Sequence, residues 1–317
     1  MSRHPHPGLV LAAALWLAPA VAQEMNGFAL KDSLIPYLEI NFGGPEKDGI
    51  PAIDKPDFLA AGIAAFLKND DEVLGIVRGK TARAYPIRIL NWHEVVNDRI
   101  DGAPVVISFC PLCGTGMAFD ARVNGRELSF GVSGLLYNSD VLLYDRQTNS
   151  LWSQLLAQAI SGPLKGSRLA MLPLTQTTWA DWRRLHPGTV VLSTNTGSAR
   201  PYLHNPYDGY EESEALMFPV AFRAAGFHPK ERVLGLKLGG ESKAYPFVEL
   251  GKAGSAIADH IGGMPVTIRF DKTVRRATAH DAEGRQLPAV VGFWFAWHAF
   301  HPTTAVFRAG ATGKAAD

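Results

Sequence analysis

Both cysteines of the 317-residue chain fall in one stretch, SFCPLCGTGMAFD (108–120), as Cys110 and Cys113. Two thiols separated by two residues support three kinds of chemistry. They can cycle between dithiol and disulfide, supply half of a soft-metal site, or close a small structural bridge. A turn of this spacing can bring the Cα atoms within the roughly 4.4–6.8 Å that a disulfide needs. Closing so short a loop removes little chain entropy, which counts against a mere staple. Reactivity requires a thiolate. Backbone N–H groups in a Gly-rich turn and a nearby imidazolium both lower a thiol pKa. The leading expectation is therefore thiol redox chemistry without an organic cofactor. Cys110 attacks, Cys113 resolves, and His93, from NWHEVVND (91–98), activates the thiol or relays a proton. The metal alternative uses Cys110, Cys113 and His93 as ligands to copper or zinc. A third class is a non-catalytic binding module that uses the polar loop at 193–212.

Two further segments could shape a pocket around these thiols. The stretch 131–154 is dense in polar groups framed by apolar ones. Within it, Ser133, Asn138, Asp140, Asp145, Arg146, Trp152 and Gln154 are expected to line the site, with Asp140 or Asp145 positioning His93 or a substrate. Asn, Ser and Asp also bond their own backbone in tight turns, so a purely local role stays open. The loop 193–212 offers Arg200 as an anion holder and Tyr202, Tyr207 and Tyr210 as an aromatic wall. Loops of that length are often functional; equally, its tyrosines could pack the linker against the rest of the chain. Other templates fit poorly. There is no G-x-S-x-G elbow, no Walker loop and no Gly-rich dinucleotide fingerprint.

The elements that must position these residues come from an internal repeat. VLGIVRGKTARAYPIRIL (73–90) matches VLGLKLGGESKAYPFVEL (233–250), and NDRIDGAPVVISF (97–109) matches ADHIGGMPVTIRF (258–270). Cys110 aligns with Asp271, Cys113 has no counterpart, His93 faces a Gly/Ala-rich stretch, and 131–154 is missing from the second copy. Features present in one copy are the better candidates for chemistry. His186-Pro187 and His301-Pro302 occur in both and read as structural. Each copy predicts a strand (Val73–Val77, Val233–Lys237) and a second ending in Ala-Tyr-Pro. The first copy then predicts a short helix at Arg88–Val96, a strand through Val105–Phe109, a hairpin turn at Asn124-Gly125 and a Trp-rich helix near Thr178–Leu185. The expected fold is α+β and β-rich, two tandem repeats of a mainly antiparallel β unit with short helices. The expected divisions are a signal peptide at 1–22, an extension at 23–50, the first repeat at 51–192, a loop linker at 193–230, a degenerate second repeat at 231–308 and a flexible tail at 309–317.

Composition narrows the partners. At net charge +1 the chain gives no electrostatic case for nucleic acid or an anionic membrane. The N-terminus carries one Arg, an apolar run from Leu9 to about Leu17 and Ala20-Val21-Ala22, the pattern of a secretory signal with its cleavage site. The run is shorter than the roughly 20 apolar residues of a spanning helix. The expectation is a periplasmic or secreted protein with no membrane span after signal removal, acting on a small-molecule or protein thiol in a compartment where disulfides persist.

Taken together, NWHEVVND, SFCPLCGTGMAFD, FGVSGLLYNSDVLLYDRQTNSLWSQ (130–154) and PYDGY (206–210) resemble the bacterial and archaeal family called domain of unknown function 3179. The resemblance runs from about Pro51 to His301. Some relatives are labelled selenoproteins, with selenocysteine at a cysteine position of this motif. That implies redox or nucleophilic chemistry at Cys110 or Cys113.

Overall fold

The computed structural model describes residues 23–310 together with Met1. The signal-peptide segment and residues 311–317 of the expected tail lie outside the described residues. Among the described residues, no helix is long and apolar enough to cross a membrane.

Five sheets of three to five strands are arranged as a five-bladed β-propeller. This overturns the expected α+β fold of two tandem repeats. Strand outweighs helix 40% to 11%, and among the described residues the four α-helices are only four to seven residues long. Helices of that length cannot cover a sheet. The strands cover one another instead: Ala103–Cys110 and Asp140–Asp145 are buried on both faces almost throughout. Apolar runs of this kind need a neighbouring sheet on each side, which blades stacked in a ring provide.

The matched segments are distributed over four of the blades. In the first copy, strands Glu72–Arg78 and Thr81–Pro86 form one blade with Thr175–Thr178, Val190–Leu192 and Phe58–Ala60. Strands Val95–Ile100, Ala103–Cys110, Thr115–Asp120 and Ala170–Leu172 form the next. The second copy repeats this division with Arg232–Leu238, Glu241–Pro246, Val290–Phe293 and Ala305–Val306, then Ala256–Ile261, Met264–Asp271 and Arg276–His280. The non-repeated stretch makes a blade of its own, in which Phe130–Tyr137, Asp140–Asp145, Leu151–Ser153 and Gln158–Ala159 are joined by Ile40–Phe42. It is therefore a full blade of the ring rather than an insertion within a repeat. The expected helix at Arg88–Val96 shrinks to Ile87–Leu90, because Val95 already begins a strand. Asn124 and Gly125, at φ 50° and 77°, form the hairpin turn.

One packing device recurs in both copies. Trp182, on the helix Trp179–Leu185 capped by Thr178, lies flat on Gly75, where an added Cβ would come within 2.3 Å of the indole. Trp297 lies on Gly235 in the same way, at 2.1 Å. Each indole N–H donates to a threonine, Thr189 or Thr304, and each ring is met by a tilted histidine ring, His186 or His301, with centroids 4.1 Å apart. The two His-Pro histidines thus brace tryptophans. Overpacking a filled core costs about 1–3 kcal/mol. Gly75→Ala is expected to lower unfolding stability by about that amount, measured by chemical denaturation; an unchanged midpoint would show that the contact is not tight.

Candidate functional site

Strand Ala103–Cys110 ends at the first cysteine. The chain then turns back: Cys113 N–H donates to the Cys110 carbonyl at 3.2 Å, and Thr115 pairs with Cys110 across the new ladder. Gly114 sits at φ 61° with the Phe293 ring 3.0 Å from where a Cβ would be, so a left-handed turn and a close aromatic neighbour both demand glycine. Phe293 N–H donates to the Cys113 carbonyl at 2.8 Å, tying the turn to the neighbouring blade. Both thiols are free and not joined in a disulfide. They are 1% and 0% exposed, inside the largest apolar cluster, with Trp152, Phe130, Phe293 and Trp297.

A second turn meets the first. Asn138 and Ser139 both have positive φ, 50° and 66°, forming the two-residue loop between Phe130–Tyr137 and Asp140–Asp145. Such a loop needs residues that tolerate left-handed backbone, and Asn leads that group after Gly. Its tip presents the Ser139 carbonyl 3.2 Å from Cys113 Sγ and 3.8 Å from Cys110 Sγ. Asp140 follows immediately. Its carboxyl accepts from Leu155 N–H at 3.1 Å and from Thr115 Oγ1 at 3.4 Å, and it reaches both thiols. Gln154 braces the group, accepting from Thr115 Oγ1 at 2.8 Å and donating to Ser108 Oγ at 2.9 Å.

The electrostatics run against the thiolate expectation. Burial pushes the Cys110 thiol up, and pushes Cys113 up further with Cys110 beside it. Burial lifts Asp140 to about 7. It lifts Glu94 to about 8, with the Asp140 charge adding to the effect. Desolvation therefore dominates the turn's N–H groups. Glu94 escaped the sequence reading, although it stands beside His93 in NWHEVVND. Self-comparison carried the signal. The Glu94 carbonyl accepts from Phe109 N–H as the Ser255 carbonyl accepts from Phe270 N–H, so the second copy holds Ser where the first holds Glu.

His93 is not a partner of the thiols. Its Nδ1 donates to the Pro51 carbonyl and its Nε2 accepts from Tyr202 Oη, both at 2.7 Å. Burial, with Arg200 nearby, holds its pKa down, so the ring is neutral and works as a pin. Tyr202 passes the link to Thr196 at 2.6 Å, and Arg200 lies over the Trp92 ring. Asp145 closes its own turn with Thr148 and receives the Trp152 indole N–H at 2.9 Å. Arg146 pairs with Asp54 at the rim, Ser133 stitches a bulge in its own hairpin, and Asn138 accepts from Ala221 N–H at 2.8 Å. The structure thus gathers Cys110, Cys113, Asp140 and Gln154 and adds Glu94, Thr115, Ser108 and Ser139. From the loop at 193–212, Tyr207 and Tyr210 close over the cluster; burial raises the pKa of both hydroxyls, and the cluster's own acidic groups add to the shift.

As a metal site, the ligand set is Cys110, Cys113 and Asp140, whose donor atoms all lie within 4.8 Å of one another. The carboxylate takes the place expected for His93. A surface cleft of about 740 Å³ lies at the equivalent position of the second copy, beside Ser255 and Asp271, and no thiol lines it.

Fold and site define a five-bladed propeller with a buried dithiol–carboxylate cluster at the junction of its blades. Residues 47–304 match the family described as protein of unknown function DUF3179, and the chain belongs to it. No curated protein and no solved structure matches the chain significantly.

The two raised carboxyls have a measurable consequence. In the unfolded chain Asp and Glu lose their protons near pH 4; in the folded chain Asp140 does so at about 7 and Glu94 at about 8. The native state therefore binds more protons between those limits, and stability falls as pH rises through them. Thermal unfolding from pH 5 to pH 8 should show this decline, and Asp140→Asn should remove the share that ends near pH 7 while the Glu94 share remains. A flat profile in the unsubstituted protein would mean that the carboxyls titrate normally.

Proposed function

We propose that the protein carries out dithiol–disulfide exchange at Cys110 and Cys113, with Asp140 as the proton acceptor. The observation that carries this reading is the close grouping of two free thiols and one carboxyl whose pKa lies at about 7. A thiol raised by burial needs a base at hand to become nucleophilic. A carboxyl poised near neutral pH accepts that proton and returns it to a leaving thiolate. Cys110 is the less strongly raised thiol and thus the attacking one. Cys113 then resolves the mixed disulfide, and two electrons and two protons leave the pair. The export pattern at 1–22 supports work in an oxidising compartment, where a dithiol can be driven to its disulfide.

The same three donors support a second reading, a zinc or copper site, since two thiolates and a carboxylate suit a borderline ion. Stoichiometric metal in protein purified without chelators, lost in either Cys→Ser variant, would favour it.

Trapping separates the redox roles. Cys113→Ser should accumulate a stable mixed disulfide with a small disulfide probe, whereas Cys110→Ser should form far less, read by intact mass. Asp140→Asn should slow reaction of the unsubstituted pair by roughly 100-fold, the lower range for loss of a general base. The wild-type rate should rise as pH passes about 7. Equal trapping by both Cys variants, or a rate indifferent to Asp140, would contradict the assignment.

A further inference from the structure

A small cavity of about 120 Å³ lies against the outer wall of the cysteine turn, formed there by Phe109, Pro111 and Gly114. Tyr207 and Tyr210 form another wall and also face the thiols, so these rings are the partition between cavity and dithiol. The remaining polar lining comes from two blades and the loop. Arg232, with a side chain only 9% exposed, makes a fork-to-fork pair with Glu72 and a further pair with Glu211, at 3.1 and 3.3 Å. Its guanidinium is thus taken up by two carboxylates, and the three side chains together carry a net charge of −1.

One atom points to a ligand. Gln176 Oε1 is buried, in a residue 6% exposed that lines this cavity, and has no hydrogen-bond partner in the protein. Buried polar atoms are normally satisfied, and an orphan acceptor beside surplus negative charge is matched by a cationic N–H donor. An anionic group would find the lining's one cation, Arg232, already paired, and the Lys230 ammonium beneath the Tyr210 ring already donating to two carbonyls. Size sets the second limit. A cavity of roughly 150 Å³ accepts benzene, so this one holds about five non-hydrogen atoms, the extent of an aminoethylthio group.

We infer that the oxidant of the dithiol is a small disulfide bearing an ammonium group, admitted through the cavity lined by Glu72, Glu211, Gln176 and Tyr210. The inference rests on the exchange chemistry proposed above. The Cys110 thiolate attacks one sulfur of the disulfide, forming a mixed disulfide and expelling one thiolate. Cys113 attacks Cys110 Sγ, closing the protein disulfide and expelling the second. The two protons lost by the cysteines pass through Asp140 to the two leaving thiolates. One disulfide is reduced to two thiols as one dithiol is oxidised.

The test compares three short disulfides on the whole protein: cystamine, bis(2-hydroxyethyl) disulfide and dithiodiglycolate, which carry ammonium, hydroxyl and carboxylate ends. Oxidation is followed by loss of titratable thiol, and each rate is divided by that of free dithiothreitol with the same reagent, which removes differences in intrinsic reactivity. Cystamine should exceed dithiodiglycolate by about ten-fold or more at low ionic strength, a size expected of charge focusing in a cleft. Added salt should shrink the ratio, and Glu211→Gln should shrink it without salt. Equal normalised rates, or a faster carboxylate reagent, would overturn the inference and leave the exchange reading intact. If none of the three oxidises the folded protein while all oxidise it unfolded, the exchange reading fails and this inference fails with it.

Discussion

Taking ionisable groups out of water is the constraint on which the centre of this molecule depends. Two thiols and two carboxyls share a dry junction between blades, and burial is the largest influence on all four. An isolated charge there is expensive. Below about pH 7 the cluster therefore keeps its protons; above it Asp140 is the first to lose one, and its charge must be accommodated by the others. That is why the carboxyl rather than an imidazole matters. Asp140 is held by Leu155 N–H and Thr115 Oγ1, contacts that restrain its rise, so burial leaves it near neutrality instead of far above.

The architecture supports this arrangement with two reverse turns placed tip to tip. One carries the cysteines and requires Gly114; the other carries Ser139 and Asp140 and requires residues that accept left-handed backbone. Each turn is anchored in a different blade, so the cluster exists only when the blades are assembled. A third blade ties in through the Phe293–Cys113 backbone bond. The cover is of another kind. The segment from 193 to 230 has no regular strand or helix. It is held by point contacts: Tyr202 on His93, Ala221 N–H on Asn138, and Lys230 Nζ donating to the Ser213 and Ala215 carbonyls beneath the Tyr210 ring. A cover fastened in this way can yield while the blades stay intact.

Much of this was legible in the residues. The strands, the Asn124-Gly125 turn, the Trp-bearing helix and the singularity of the Cys110–Cys113 motif follow from alternation, turn chemistry and self-comparison. The ring of blades was not. Period-two patterning marks a strand but not the sheet that strand joins, and a repeat that divides itself between two sheets looks like a single unit. His93 outranked Glu94 because imidazole is the common partner of a thiol, whereas the role of a carboxyl beside it depends on burial, which single-sequence reading sees poorly. The thiol acidities were misjudged for the same reason. The Gly-rich turn promised exposed N–H groups, but Phe293, Trp152 and the two tyrosines close it off.

Infrared difference spectroscopy on the reduced protein, titrated across neutral pH, addresses the central claim directly. Protonated carboxyls and thiols each have their own stretching band. The account predicts an acid carbonyl band, absent in Asp140→Asn, that persists at pH 5 and disappears around pH 7, with both S–H bands still present after it has gone. Loss of that band near the ordinary aspartate value of about 4, or S–H bands that vanish first, would contradict it.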